Sequence, residues 1–228
     1  MEKFNSILGL VCMLLTGLIT NAEAQPAKKK AKHPNIIIIL TDDMGVGDIS
    51  AYGGKVLPTP NIDHLAKQGM KLTQYYSAAP ICSPSRAGLL TGNYPGKWNF
   101  TTYLDHRKHN RDAEQIDFLN PKVPTMARLF KSAGYATAHI GKWHMGGGRD
   151  VLNAPGFDQY GYDFHVSTYE SPQPDSLLTA TNWIWSEKDS IKRWNRTRYF
   201  VDKTLAFMKD KKGTPCFINL WPDDVHTP

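Results

Sequence analysis

The sequence predicts an α/β fold: a mostly parallel sheet sandwiched by helices. Three observations carry that expectation. Residues 35–40 (NIIIIL) form an unbroken β-branched run of strand length, the pattern of a strand covered on both faces. Helical and strand-like segments then alternate along the chain, as in βαβ units. Finally, each predicted strand leads into a polar cluster, and a parallel sheet gathers the carboxyl ends of its strands at one edge, where ligands bind.

The first strand, 35–40, runs directly into Thr41-Asp42-Asp43-Met44-Gly45. Thr59 can cap a helix with Pro60 at its first position, Ile62, Leu65 and Ala66 on one face and Gly69 as its stop. Residues 70–77 are predicted as a second strand, leading into Pro80-Ile81-Cys82-Ser83-Pro84-Ser85-Arg86. A helix is expected to begin at 87–91 and close at Gly92. Residues 125–133 carry Met126, Leu129, Phe130 and Ala133 at helical spacing, with Gly134 behind them. The strand 136–140 enters Gly141-Lys142-Trp143-His144. A helix over 198–209, with Val201, Leu205 and Met208 on one face, precedes the strand 216–220. That strand ends at Trp221-Pro222-Asp223-Asp224-Val225-His226.

Composition narrows the class. The chain has 228 residues, 41% hydrophobic and 21% charged, a globular balance. Three Cys are too few for a disulfide scaffold. An apolar run over 7–20 follows Lys3 and precedes Ala22-Glu23-Ala24, so residues 1–24 read as a secretory signal peptide cut before Gln25. That run is too short for a membrane span. The product is expected to be periplasmic or secreted. Residues 25–33 form a basic linker containing Lys28, Lys29, Lys30 and Lys32, which hold much of the +6 formal charge. No nucleic-acid module accompanies them, so no nucleic-acid partner is expected. Residues 34–228 are the folded domain.

Several residues are chemical candidates on their own terms. Cys82 precedes Arg86 by four positions at an expected helix N-terminus, where anions are stabilised, and a reactive thiolate is one use of such a place. Asp42 and Asp43 would point oppositely in a regular strand and converge only if the strand has ended, which Gly45 and Gly47 allow. Paired carboxylates are hard ligands suited to Ca²⁺, though such a pair standing alone is more often a turn. Lys142 and His144, two apart, fall on one side of an extended loop. Gly146-Gly147-Gly148 reads as a flexible connection, and Asp223 and Asp224 as solvent-facing or substrate-rim residues. Trp98, Tyr103, Trp183, Trp185 and Trp194 are expected in core packing, ahead of sugar stacking. No Cys-x-x-Cys pair supports a redox role for Cys82 with Cys216.

The stretch Cys82-Ser83-Pro84-Ser85-Arg86-Ala87-Gly88-Leu89-Leu90-Thr91-Gly92 resembles the signature of the formylglycine-dependent sulfatases. Residues 35–43 resemble that family's first strand with its Asp pair. Gly141-Lys142-Trp143-His144 and His226-Thr227-Pro228 resemble two further elements. The resemblance implies an alkaline-phosphatase-like fold and a sulfuric ester hydrolase acting on a sulfated carbohydrate or aryl sulfate. A maturation enzyme would convert Cys82 to formylglycine (3-oxoalanine), whose hydrate attacks sulfur, activated by the metal and Arg86. His144 would take the proton that expels sulfate, while Lys142 and His226 hold the sulfate oxygens and His226 assists the leaving oxygen. Asp42, Asp43 and residue 82 would hold the Ca²⁺. The family's remaining metal ligands, an Asp-Asn pair, and a second Lys lie beyond the His-x-Pro element. The chain is therefore expected to be the N-terminal part of a catalytic domain, incomplete at its C-terminus, inactive alone and with an unpaired sheet edge. A phosphate or phosphonate ester hydrolase and a non-catalytic carbohydrate-binding relative are the alternatives. Substrate choice is expected from the loops 97–120 and 150–195.

Overall fold

The structure, a computed structural model, describes residues 33–226. The expected signal peptide and the linker up to Lys32 lie outside the described residues, as do Thr227 and Pro228. Among the described residues no helix is long and apolar enough to cross a membrane.

Four strands form one open sheet, β1 (Ile36–Ile39), β2 (Ala136–Gly141), β3 (Phe164–Ser167) and β4 (Cys216–Trp221), in the order β1-β4-β2-β3. Every pairing is parallel, with Ile36 beside Phe217, Ala136 beside Cys216 and Ala138 beside Phe164. The helices are α1 (Pro60–Gln68), α2 (Cys82–Thr91), α3 (Arg107–Asp112), α4 (Met126–Ser132) and α5 (Arg196–Asp210), joined by short 3₁₀ turns.

Alternation along the strands divides the core into two layers. Phe217 and Trp221 of β4 pack with Ala87 and Leu90 of α2 and Ala127 of α4. Ala136, Ala138 and Ile140 of β2 and Cys216, Ile218 and Leu220 of β4 face the other way, onto Phe200 and Phe207 of α5. This is the expected sheet between helices.

Local chemistry sets the element ends. Thr125 caps α4 by accepting the Arg128 N–H at its hydroxyl. Gly92 closes α2 in the left-handed conformation (φ 65°). Gly141, at φ 115°, leaves β2 where a Cβ would stand 1.9 Å from the Trp221 carbonyl oxygen. Only glycine lets β2 and β4 part so closely.

Four expectations are corrected. Residues 70–77 are not a strand: they run through turns, with Met70 and Tyr76 exposed, because no strand of the described sheet lies beside them. The fourth strand is instead β3, inside a segment expected to be loop. Helix α2 starts at Cys82 itself, five residues before the expected start. Among the described residues the first strand is not covered on both faces: it lies at the edge of the described sheet, and Ile37 and Ile39 are 40% and 61% exposed while Ile36 and Ile38 pack into the core.

Candidate active site

The carboxyl ends of β1, β2 and β4 and the first turn of α2 meet at one edge of the sheet. Asp42 is the point where they join. Its Oδ1 accepts from Arg86 Nη2 at 3.0 Å and its Oδ2 from Lys142 Nζ at 2.7 Å, although these partners lie 44 and 100 residues away in sequence. The backbone fixes the carboxylate in place: Asp42 N–H donates to the Asp224 carbonyl, and Val225 N–H donates to that of Asp42. Asp42 is buried, which raises its carboxyl pKa, but Arg86 and Lys142 more than offset this and hold it below the usual value.

Asp43 adopts φ 61°, so the strand has ended and the chain turns left-handed between the two acids. Its Oδ2 lies 3.9 Å from His226 Nε2. Arg86 is 1% exposed, donates from Nη1 to the Lys142 carbonyl at 2.9 Å and lies 5.3 Å from the Trp221 ring centroid. Lys142 N–H donates to the Trp221 carbonyl at 2.7 Å, the contact that Gly141 makes room for.

Cys82 separates two concavities. On one side an open cleft of about 510 Å³ is lined by Asp42, Asp43, Ser85 and Arg86. On the other a cavity of about 280 Å³ is lined by Lys142, His144, Glu170 and His226. All seven residues singled out by the sequence thus border one or both spaces, with position 82 shared between them. Burial pushes the Cys82 thiol pKa up, with the nearby Lys142 and Arg86 acting against it, so this site does not favour a thiolate.

His144 is buried at φ 51°. Its Nε2 lies 2.9 Å from the Leu104 carbonyl oxygen and its Nδ1 3.4 Å from Glu170 Oε2. Burial pushes its pKa down to about 4, against the raising effect of Glu170, so the imidazole is neutral at pH 7 and able to accept a proton. Leu104 N–H in turn donates to Ser83 Oγ at 2.9 Å, tying the first turn of α2 to the backbone group that holds His144.

The donor set fits part of a site for a hard divalent cation. Asp42, Asp43 and position 82 line the same cleft, and carboxylates are the ligands such ions take. Both Asp42 oxygens, however, are already engaged by cations, and among the described residues no group of three or more His, Cys, Asp or Glu converges as a metal site.

Sequence reasoning missed Glu170 and Arg149. Both line the cavity, and Glu170 follows the strand that the hydrophobic pattern did not reveal. Other expectations change as well. Of the two places expected for Asp223, the solvent-facing one fails and the rim one stands: it is 4% exposed, paired with Arg193 and Arg196, and borders the cavity. The triple glycine is no loose connection, since a Cβ on Gly147 would stand 2.3 Å from the Ser171 backbone. Trp194, Trp183 and Tyr103 are 79%, 47% and 40% exposed, and Trp185 and Tyr103 line the cavity. Only Trp98 packs against the core as expected.

The chain is 42% identical to mouse (Mus musculus) steryl-sulfatase over 161 residues, covering 68% of this chain and 26% of the relative. It is 31% identical to pig (Sus scrofa) N-acetylgalactosamine-6-sulfatase over 233 residues, covering 96% and 43%. The crystal structure of Ps i-CgsB in complex with k-i-k-neocarrahexaose superimposes with a TM-score of 0.69 at 26% identity, over 86% of this chain and 46% of that one. BT4656 in complex with its substrate D-glucosamine-2-N,6-O-disulfate gives 0.62 at 26% identity, over 86% and 35%. The chain therefore spans less than half the length of each of these proteins. The family profile described as Sulfatase matches residues 34–228, running through every cluster that meets around Cys82, and on that match the chain belongs to the sulfatase family.

Proposed function

We propose that this chain carries the nucleophile half of a sulfuric ester hydrolase that removes sulfate from a sulfated carbohydrate or an aryl sulfate. The observation that carries the reading is the position of Cys82. It stands at the start of α2, between a cleft bearing two carboxylates and a cavity bearing Lys142, His144 and His226. A sulfate ester is anionic and resists nucleophiles, so its hydrolysis calls for charge neutralisation on one side and proton transfer on the other.

In this reading a maturation enzyme would oxidise Cys82 to formylglycine, and Asp42, Asp43 and position 82 would be the residues that hold a Ca²⁺. The hydrated aldehyde would supply an oxygen nucleophile for sulfur, and the cation would supply positive charge to the site. The chain's own residues do the rest. Arg86, planar and permanently charged, orients Asp42 and adds positive potential beneath position 82. Lys142 and His226 face the cavity where sulfate oxygens would lie. His144, neutral at pH 7, accepts the proton whose removal lets sulfate leave. The exposed Tyr103 and Trp183 and the cavity-lining Trp185 supply flat apolar faces of the kind that sugars stack on. The enzyme acts in the periplasm or outside the cell.

Mass analysis of the Cys82 peptide from the native host tests the nucleophile. An aldehyde or its hydrate at position 82 is expected, and an intact thiol overturns the reading. Desulfation of sulfated oligosaccharides and aryl sulfates by the complete, matured protein tests the reaction. Faster turnover of matched phosphate esters would replace the sulfatase assignment with a phosphohydrolase.

A further inference from the structure

Glu170 lies two residues past Thr168, where the chain leaves β3, and it is 8% exposed. Its two carboxylate oxygens are directed to different partners. Oε1 accepts from Arg149 Nη2 at 3.0 Å, while Oε2 stands 3.4 Å from His144 Nδ1. Arg149 is anchored in turn, with Nε 2.9 Å from Asp105 Oδ1 and its guanidinium 5.0 Å from the Trp183 ring centroid. Gly147 presses its backbone against Ser171, which seats the glycine loop on the same segment.

The hydrogen-bond inventory of His144 makes this arrangement informative. Leu104 O can only accept, so the neutral ring carries its proton on Nε2. That leaves Nδ1 as a buried lone pair with no hydrogen-bond donor, facing a carboxylate oxygen. Two acceptors opposed in a buried site are a poor match. The match is completed when the ring is protonated, from hydronium in the resting protein: an O–H bond of the acid breaks, the Nδ1 lone pair forms the new N–H bond, and that N–H can be donated to Glu170. Glu170 thus offsets part of the penalty that burial, Lys142 and Arg86 place on the protonated ring.

We propose that Glu170 is the positioning residue of His144, holding the imidazole between its own carboxylate and the Leu104 carbonyl and accepting the hydrogen bond of the proton gained at Nδ1. The inference rests on the reading of His144 as the base, but its structural part can be tested without turnover. Besides Glu170, the charged groups acting on His144 are Lys142 and Arg86, both opposing protonation, with Arg149 and Asp105 behind Glu170. Cys82, Tyr103 and His226 share the cavity.

The test is the pH at which His144 takes its proton, followed by ¹⁵N histidine NMR in the full chain for wild type, Glu170→Gln and Glu170→Asp. Protonation is expected at lower pH in Glu170→Gln, which keeps the shape and loses the charge. Glu170→Asp should lie nearer to wild type. An unchanged midpoint in Glu170→Gln overturns the proposal. A second measurement needs no variant: in the wild-type chain the Glu170 carboxyl ¹³C shift should move together with His144 protonation, and independent movement overturns it. With the matured enzyme and an aryl sulfate, kcat of Glu170→Gln should fall about tenfold or more, while KM changes less than about twofold. A wild-type kcat in Glu170→Gln overturns the catalytic relevance. The expected NMR shift without desulfation by the complete, matured enzyme would keep the positioning claim and reject the sulfatase reading.

Discussion

Asp42 answers two cations at once, and the energetic consequence follows from burial. Arg86 and Lys142 are 1% and 6% exposed, and each donates to a different oxygen of this carboxylate. Removing the negative charge leaves two buried positive groups with weakened partners, which costs far more than losing an exposed ion pair. Asp42→Asn is expected to destabilise the chain by about 3–5 kcal/mol, measured as a drop in urea midpoint at unchanged slope. A change below ~1 kcal/mol would mean that water reaches these cations and that the junction is not the dry one described. The same residue shows what a sequence can disclose at this scale. The type and place of Asp42, Arg86 and Lys142 were legible from a motif and from strand-end positions. Their salt links were not, because contacts spanning 44 and 100 residues have no local pattern. Glu170 carried no signal of its own: a lone acid after a short segment looks like any solvated side chain.

Among the elements, long apolar runs were read correctly and short ones were not. The strands β1, β2 and β4 stand where they were expected, but the helix faces do not: Leu129, Val201 and Leu205 are exposed, and α5 buries Phe200, Thr204 and Phe207 instead of the expected Val201, Leu205 and Met208. β3 is four residues with one fully apolar inward pair, too brief for alternation to register, and it is set by pairing with β2. Residues 70–77 alternate only as far as Thr73 and form no strand, since a strand exists only beside a partner. The tightest inter-element requirement is at Gly141, where the left-handed turn lets Lys142 N–H reach Trp221 O. Gly141→Ala places a Cβ 1.9 Å from that oxygen, so β2 and β4 must separate at their carboxyl ends. A loss of more than ~1 kcal/mol is expected, together with displacement of Lys142 from Asp42. Chemical denaturation measures the first and the Lys142 ¹⁵Nζ shift the second. Neutral behaviour in both would show that the strand ends are slack.

At the level of the whole molecule, the parallel sheet brings separated clusters to one edge but makes the interior beneath them sensitive to acid. His139 of β2 is fully buried between Phe157, stacked at 5.3 Å, and the edges of Trp143 and Trp221, with the backbone of Gly141 and Lys142 beside it. Burial pushes its pKa down from 6.5 to about 3, and that of His144 down from 6.5 to about 4. Both folded values lie below the unfolded ones, so between pH 6.5 and about 4 the unfolded chain binds protons that the folded chain refuses. Stability is therefore retained above pH 6.5 and falls as the pH drops through that window, by up to about 1.4 kcal/mol per pH unit for each histidine. His139→Phe isolates one of the two, because a phenyl ring can keep the aromatic packing and cannot take a proton. Urea unfolding measured from pH 7 to pH 4 should show a shallower loss for this variant, by about one proton's worth of slope. Parallel pH profiles for the two proteins would mean that His139 is protonated in the folded state, which the ring of aromatic neighbours around it does not permit.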